Sequence, residues 1–220
     1  MSDFTIQIID KLLLLPGLLI GLSAHEFAHA YVAFKLGDDS QRFQGRLTLN
    51  PLKHIDPVGF LFLMLLGYGW AKPVMVNSRG FKNLRRDDTL VSIAGPIANL
   101  ILAVIFTILM GLTVVIITKT GGYNQTTEII MKILERALLI NLVLMVFNLI
   151  PLPPLDGHHI LGNIVGTPLW NFYYKYADIL RIVLMFVIIL GGTRYIISPI
   201  VGSIYNFLIN LMQNILLMIM

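Results

Sequence analysis

The chain has 220 residues, of which 56 % are hydrophobic and only 13 % charged, with a net charge of +4 and no cysteine. An ordinary soluble domain is about half apolar and a quarter charged, so this balance excludes that class and points to a membrane protein. The missing cysteines exclude disulfides and thiolate ligands. Most of the basic residues fall between Lys35 and Arg86, which reads as loop charge that sets topology rather than as a nucleic-acid-binding surface.

In chain order, the first predicted span is Leu12 to Phe34, about 34 Å long as a helix, and its only formal charge is Glu26. Pro16 and Gly17 predict a kink. Its length and polar far end argue against a cleavable signal peptide. After Gly37, "RLTLN" (46–50) alternates as a strand does. "VGFLFLMLLGYGW" (58–70) is too short to span comfortably and reads as a re-entrant or tilted segment. "AKPVMVNS" (71–78) alternates again, with Pro73 confined to an edge or a strand start.

Thr89 to Thr118 is uncharged, opens near "GPIAN", and makes a second span. A third runs from Glu128 to Ile150. The loop "PLPPLDGHHILGNIVGTP" is too rich in proline and glycine for regular helix. Phe172 to Gly192 and Tyr195 to Leu217 complete the series. The expected fold is an all-α polytopic membrane protein. It has about five full spans, a short re-entrant or tilted segment, and a small β element at the cytoplasmic side. It forms one domain over 1–220, with a core at about 20–160 and C-terminal spans at 172–217.

Arg79, Lys82, Arg85 and Arg86 precede the second span, so that loop is expected in the cytoplasm. The first and third spans then both run inward. They bring the end of the first span and "PLPPLDG" to the same side and a similar depth.

That first span ends in "HEFAH" (25–29), an H-E-x-x-H pattern. On a helix His25 and His29 lie one turn apart and can bind one zinc ion. Glu26 is about 100° round the helix, beside the metal, where it can take a proton from water the metal activates. The setting strengthens the metal reading, because a charge near the bilayer centre costs about 2.5–3.5 kcal/mol even on insertion scales. The competing structural reading is a polar cluster that hydrogen-bonds neighbouring helices. A catalytic zinc site needs a third protein ligand, and His54, Asp156, His158 and His159 are the candidates. Asp156 follows a proline-rich stretch at membrane depth, where irregular backbone requires a covered or wet cavity. An aspartate offset by Zn²⁺ fits such a cavity.

With H-E-x-x-H in the first span, Gly95-Pro96-Ile97-Ala98-Asn99 in the second, and N-x-x-P-x-P-x-L-D-G from Asn148 to Gly157, the chain resembles the site-2 protease family over residues 20 to 160. These are intramembrane zinc metalloproteases that cut membrane-spanning helices. The resemblance implies one Zn²⁺ held by His25, His29 and Asp156, with Glu26 as catalytic acid/base. It also implies substrate-positioning roles for Asn99 and Asn148. With no inserted PDZ-like domain between the motifs, it is to the compact core form. The implied partners are a membrane-spanning protein substrate and the lipid bilayer, and no nucleic acid.

A helical substrate must unwind, and each backbone group freed in a bilayer then needs a partner. An open strand edge at Val74, Met75 or Val76 could supply one by strand addition; the plainer reading is a hairpin that plugs the cytoplasmic end. Asn99 and Asn148 also have a plainer role as interhelical hydrogen-bonding groups, and His54 as a solvated loop histidine. Asn206, Asn210 and Gln213 form a polar stripe expected to pack on the bundle, with a homo-oligomer contact as second reading. The rival function is a zinc or proton-coupled transporter using the same His/Asp cluster.

Overall fold

The computed structural model describes residues 3–66, 69 and 72–219. Eight α-helices follow one another among them: α1 (Asp3–Lys35), α2 (Ser40–Phe43), α3 (Pro57–Leu66), α4 (Leu84–Thr120), α5 (Gln125–Asn148), α6 (Asp156–Val165), α7 (Thr167–Ile189) and α8 (Thr193–Ile219). The five expected spans coincide with α1, α4, α5, α7 and α8. Three of these are long and apolar enough to cross a membrane: Ile8–Lys35 within α1, α4, and α8.

The helix limits follow from local chemistry. Asn83 caps α4 by accepting from the Arg86 N–H, and Gly121 ends it in the left-handed conformation at φ +60°. Asn124 opens α5 through a reciprocal capping box with Thr127.

Helices α1, α4 and α5 form the central bundle. Gly17 and Gly21 of α1 lie against Ala137 and Asn141 of α5, so closely that a Cβ on either glycine would overlap them. This small-residue spacing of four is how membrane helices bring backbones together. Leu138, Leu142, Ala103, Phe106 and Met110 fill the α4–α5 seam, and Ile197, Val201 and Leu208 close it from α8. Less than a third of the most apolar window of α1 and of α4 is buried. The remaining apolar surface, including Ile97, Ile101, Ile105 and Ile108 on α4, suits lipid as its solvent.

The small β element is not found: no strand is present among the described residues. Residues 46–50 are irregular, with a bend at 47–48, because their bonding goes elsewhere. The buried Arg46 donates to the carbonyls of Lys53 (2.7 Å) and Lys72 (3.3 Å), and Asn50 caps a 3-10 turn at Pro51–Lys53. Residues 72–77 are extended, but side chains take the place of a partner strand. Gln41 donates to the Met75 carbonyl (2.6 Å), and Asp38 accepts from the Asn77 N–H (2.8 Å). The apolar 58–70 segment begins as the ten-residue α3; residues 67, 68, 70 and 71 lie outside the described residues.

Candidate metal centre

The last turns of α1 carry Ser23, His25, Glu26 and His29, all buried. They face the third, fourth and fifth turns of α4 and the first residue of α6. His25 Nδ1 lies 2.7 Å from Asn99 Oδ1, and His29 Nδ1 lies 2.7 Å from the Val91 carbonyl. A carbonyl oxygen can only accept, so His29 carries its proton on Nδ1. Asn99 donates its amide to the Gly21 carbonyl (3.1 Å) and to Asn141 Oδ1 (3.0 Å), which leaves its oxygen to accept from His25 Nδ1. Both Nε2 atoms are therefore bare lone pairs.

Those two lone pairs are 3.0 Å apart. Asp156 Oδ2 lies 3.1 Å from His25 Nε2 and 3.3 Å from His29 Nε2. With the Nδ1 protons committed outward, neutral imidazoles place no hydrogen between these three acceptors, and Asp156 Oδ2 is buried without a hydrogen-bond donor. Three converging acceptors repel one another unless a cation sits between them. Tetrahedral zinc with bonds of about 2.0–2.1 Å separates its ligand atoms by about 3.3 Å, so the donor set fits that ion. The described residues contain this one group of three His, Asp or Glu ligands close enough to hold a metal.

Backbone space is part of the site. A Cβ on Gly95 would run into both imidazoles, and one on Gly157 would strike the carbonyls of Leu149 and Ile150. Only glycine lets α4 pass the histidines, and only glycine lets the start of α6 fold under the end of α5.

Glu26 Oε2 accepts from the Val74 N–H at 3.0 Å, so the extended 72–77 segment lies directly against the carboxylate beside the metal group. Asp38 anchors the far end of that segment. Burial by itself would raise the Asp38 carboxyl, but hydrogen bonds from Ser40, Asn77 and Gln41 outweigh it and hold it below the usual carboxylate range.

The other candidates are placed elsewhere. His54 is fully buried rather than solvated, and its Nε2 bonds the Thr48 carbonyl (2.7 Å). His158 Nδ1 turns to the Leu155 carbonyl, and His159 Nδ1 lies 3.0 Å from Asp88 Oδ2. Asn148 spends its amide on the Leu144 carbonyl (2.9 Å). Asn99 is fully buried with both amide hydrogens spent, so its bonds serve His25 and the α1–α4–α5 contact. Asn141, which braces Asn99 while donating to the carbonyls of Ala137 (2.8 Å) and Gly17 (3.3 Å), was not singled out from sequence. A lone asparagine in an apolar helix was the available signal.

A protein of Bacillus subtilis named "Putative zinc metalloprotease YwhC" is 47 % identical over 154 residues, 67 % of either chain. The chain belongs to peptidase family M50. The model for that family matches residues 112–191, the part that contains Asp156. Rip2 of Mycolicibacterium smegmatis, also named as a zinc metalloprotease, is 33 % identical over 152 residues. The match covers 67 % of this chain and 55 % of Rip2, so this chain spans little more than half of that relative. The protein MJ0611 of Methanocaldococcus jannaschii is 29 % identical over 161 residues, 69 % of this chain and 73 % of that one. No solved structure matches the chain. As an M50 peptidase it is a membrane zinc metalloprotease of the site-2 type.

Proposed function

We propose that this M50 peptidase hydrolyses peptide bonds within or near membrane-spanning segments of other membrane proteins, as a step in regulated intramembrane proteolysis. The supporting observation is the triangle of acceptor atoms from His25, His29 and Asp156, two of which stand on a helix apolar enough to cross a membrane. In this reading the site opens toward the cytoplasm, α1, α4, α5, α7 and α8 all span, and His25, His29 and Asp156 hold one zinc ion.

Held by His25, His29 and Asp156, a zinc ion would supply a Lewis acid for the water and the scissile carbonyl. The chain's own residues do the rest. Asn99 and the Val91 carbonyl hold each imidazole in the tautomer that presents Nε2. Glu26 takes the proton from the attacking water and later gives it to the leaving amine nitrogen. The Val74 N–H on Oε2 fixes the carboxylate and leaves Oε1 for that transfer.

The substrate is proposed to add as a strand to residues 74–76. Side chains of Gln41 and Asp38 hold the Met75 carbonyl and the Asn77 N–H. Successive residues of an extended chain point their backbone groups to opposite edges, so the edge carrying Val74 and Val76 is the one that faces Glu26. Asn148, with its amide oxygen left over, is proposed to contact substrate. Metal analysis and cleavage of single-span substrates by Glu26→Gln test the mechanism. The variant is expected to keep one zinc and lose turnover by about 10²-fold or more. Unchanged cleavage would overturn it, and continued zinc or proton transport without cleavage would favour a transporter.

A further inference from the structure

Two histidines follow Asp156-Gly157, and neither joins the metal group. Helix α6 carries Asp156, His159 and Asn163 at i, i+3 and i+7, which sets them along one face. The first reaches His25 and His29. The other two converge on one oxygen of α4: Asp88 Oδ2 is 3.0 Å from His159 Nδ1 and accepts from Asn163 Nδ2 at 2.7 Å.

Asp88 in turn belongs to a stripe on α4. Asp88, Val91, Gly95 and Asn99 succeed one another at intervals of three or four residues, spanning about 16 Å of one helix face. Asn99 orients His25, Gly95 makes room for both rings, and the Val91 carbonyl orients His29. Among the described residues no hydrogen bond from α4 is found on the Asp156 carboxylate, and its Oδ2 has no donor. Its support comes through its helix, and α6 rests on α4.

We propose that Asp88 is a positioning residue for the third metal ligand: through His159 and Asn163 it docks α6 on α4 and so holds Asp156 against His25 and His29. One helix face would then set all three ligands, two through their ring protons and the third through a docked helix. The inference rests on the metalloprotease reading and adds residues that do not touch the metal.

The test is zinc affinity by competition with a chelator, together with the visible spectrum of the Co²⁺-loaded full-length protein. Loss of support around metal ligands typically lowers affinity 10–100-fold, and Asp88→Ala is expected near tenfold, with an altered cobalt spectrum and an unchanged metal-free melting temperature. The pair His159→Ala/Asn163→Ala should lose as much, and adding Asp88→Ala to that pair should lose nothing further, because all three act through one contact. Should Asp88→Ala fail to fold, the single variants His159→Ala and Asn163→Ala, each removing one bond, still report: weaker zinc binding supports the docking role. Parental affinity and cobalt spectrum in the variants that fold would overturn the role of Asp88 alone. A parent protein that binds no zinc overturns the metalloprotease reading together with it.

Discussion

Replacing Gly95 by alanine puts a methyl group between the imidazoles of His25 and His29, the two proposed ligands. The added Cβ would stand 2.5 Å from His25 Cε1 and 2.7 Å from His25 Nδ1, where ordinary contact is 3.4–4 Å. It would also crowd His29 Nε2, one of the three converging acceptor atoms. To reach 3.4 Å the His25 ring must withdraw by about 0.9 Å. A metal site tolerates about 0.2 Å in its ligand distances. Helix α4 cannot retreat instead without breaking the Asn99 bonds to His25, Gly21 and Asn141. Gly95→Ala should therefore bring zinc content from one per chain to near zero at micromolar free zinc and abolish cleavage. Zinc measured by mass spectrometry of the purified variant, beside a thermal melt, reads this out. A folded Gly95→Ala protein that keeps its zinc and cleaves at the parental rate would refute the placement of α4 against the histidines.

Asn99→Ala leaves the buried His25 Nδ1–H without an acceptor, and zinc affinity should fall 10–100-fold; an unchanged dissociation constant would remove Asn99 from the site. Proline at Val74 or Val76 should slow cleavage while zinc is retained, whereas Met75→Pro should do less because the Met75 N–H points to the opposite edge; three variants that all cleave like the parent would exclude strand addition there. The Asp38 carboxyl is held below its ordinary value, so its contribution to anchoring residues 72–77 is fully present above pH about 4 and lost as pH falls through the lower folded value. Proteolysis between Lys72 and Lys82 should accelerate only in that acid range, and Asp38→Asn should cleave fast at every pH. Thiol labelling of intact cells checks orientation: an impermeant reagent should modify Gly121→Cys and spare Asn83→Cys, and the reverse pattern would invert the topology.

His25 and His29 were legible as a pair because their spacing is local. Two histidines four apart on a helix share a face whatever surrounds them, and the prolines before Asp156 announce irregular backbone by themselves, but the expected loop continues as helix α6 from Asp156, where the prolines end. The three helices long and apolar enough to cross a membrane were legible from apolar length alone. The alternation at 46–50 and 71–78 misled because it carries no information about a partner strand, and here the bonding goes to the side chains of Arg46, Gln41, Asp38 and Glu26. Gly95, Asn141 and Asp88 carry meaning only through what faces them across dozens of residues. Asn99 lies 74 residues from His25, and His159 lies 71 from Asp88; no pattern within one helix reports such pairs.

The position of the cut tests the central claim most directly. The full-length protein, reconstituted in liposomes with a single-span substrate, would be incubated with and without a zinc chelator, and the product termini sequenced by mass spectrometry. New termini within the span or at its cytoplasmic border, abolished by chelation, are the expected result. Termini confined to the substrate's soluble regions, or cleavage that persists after zinc is removed, would contradict it.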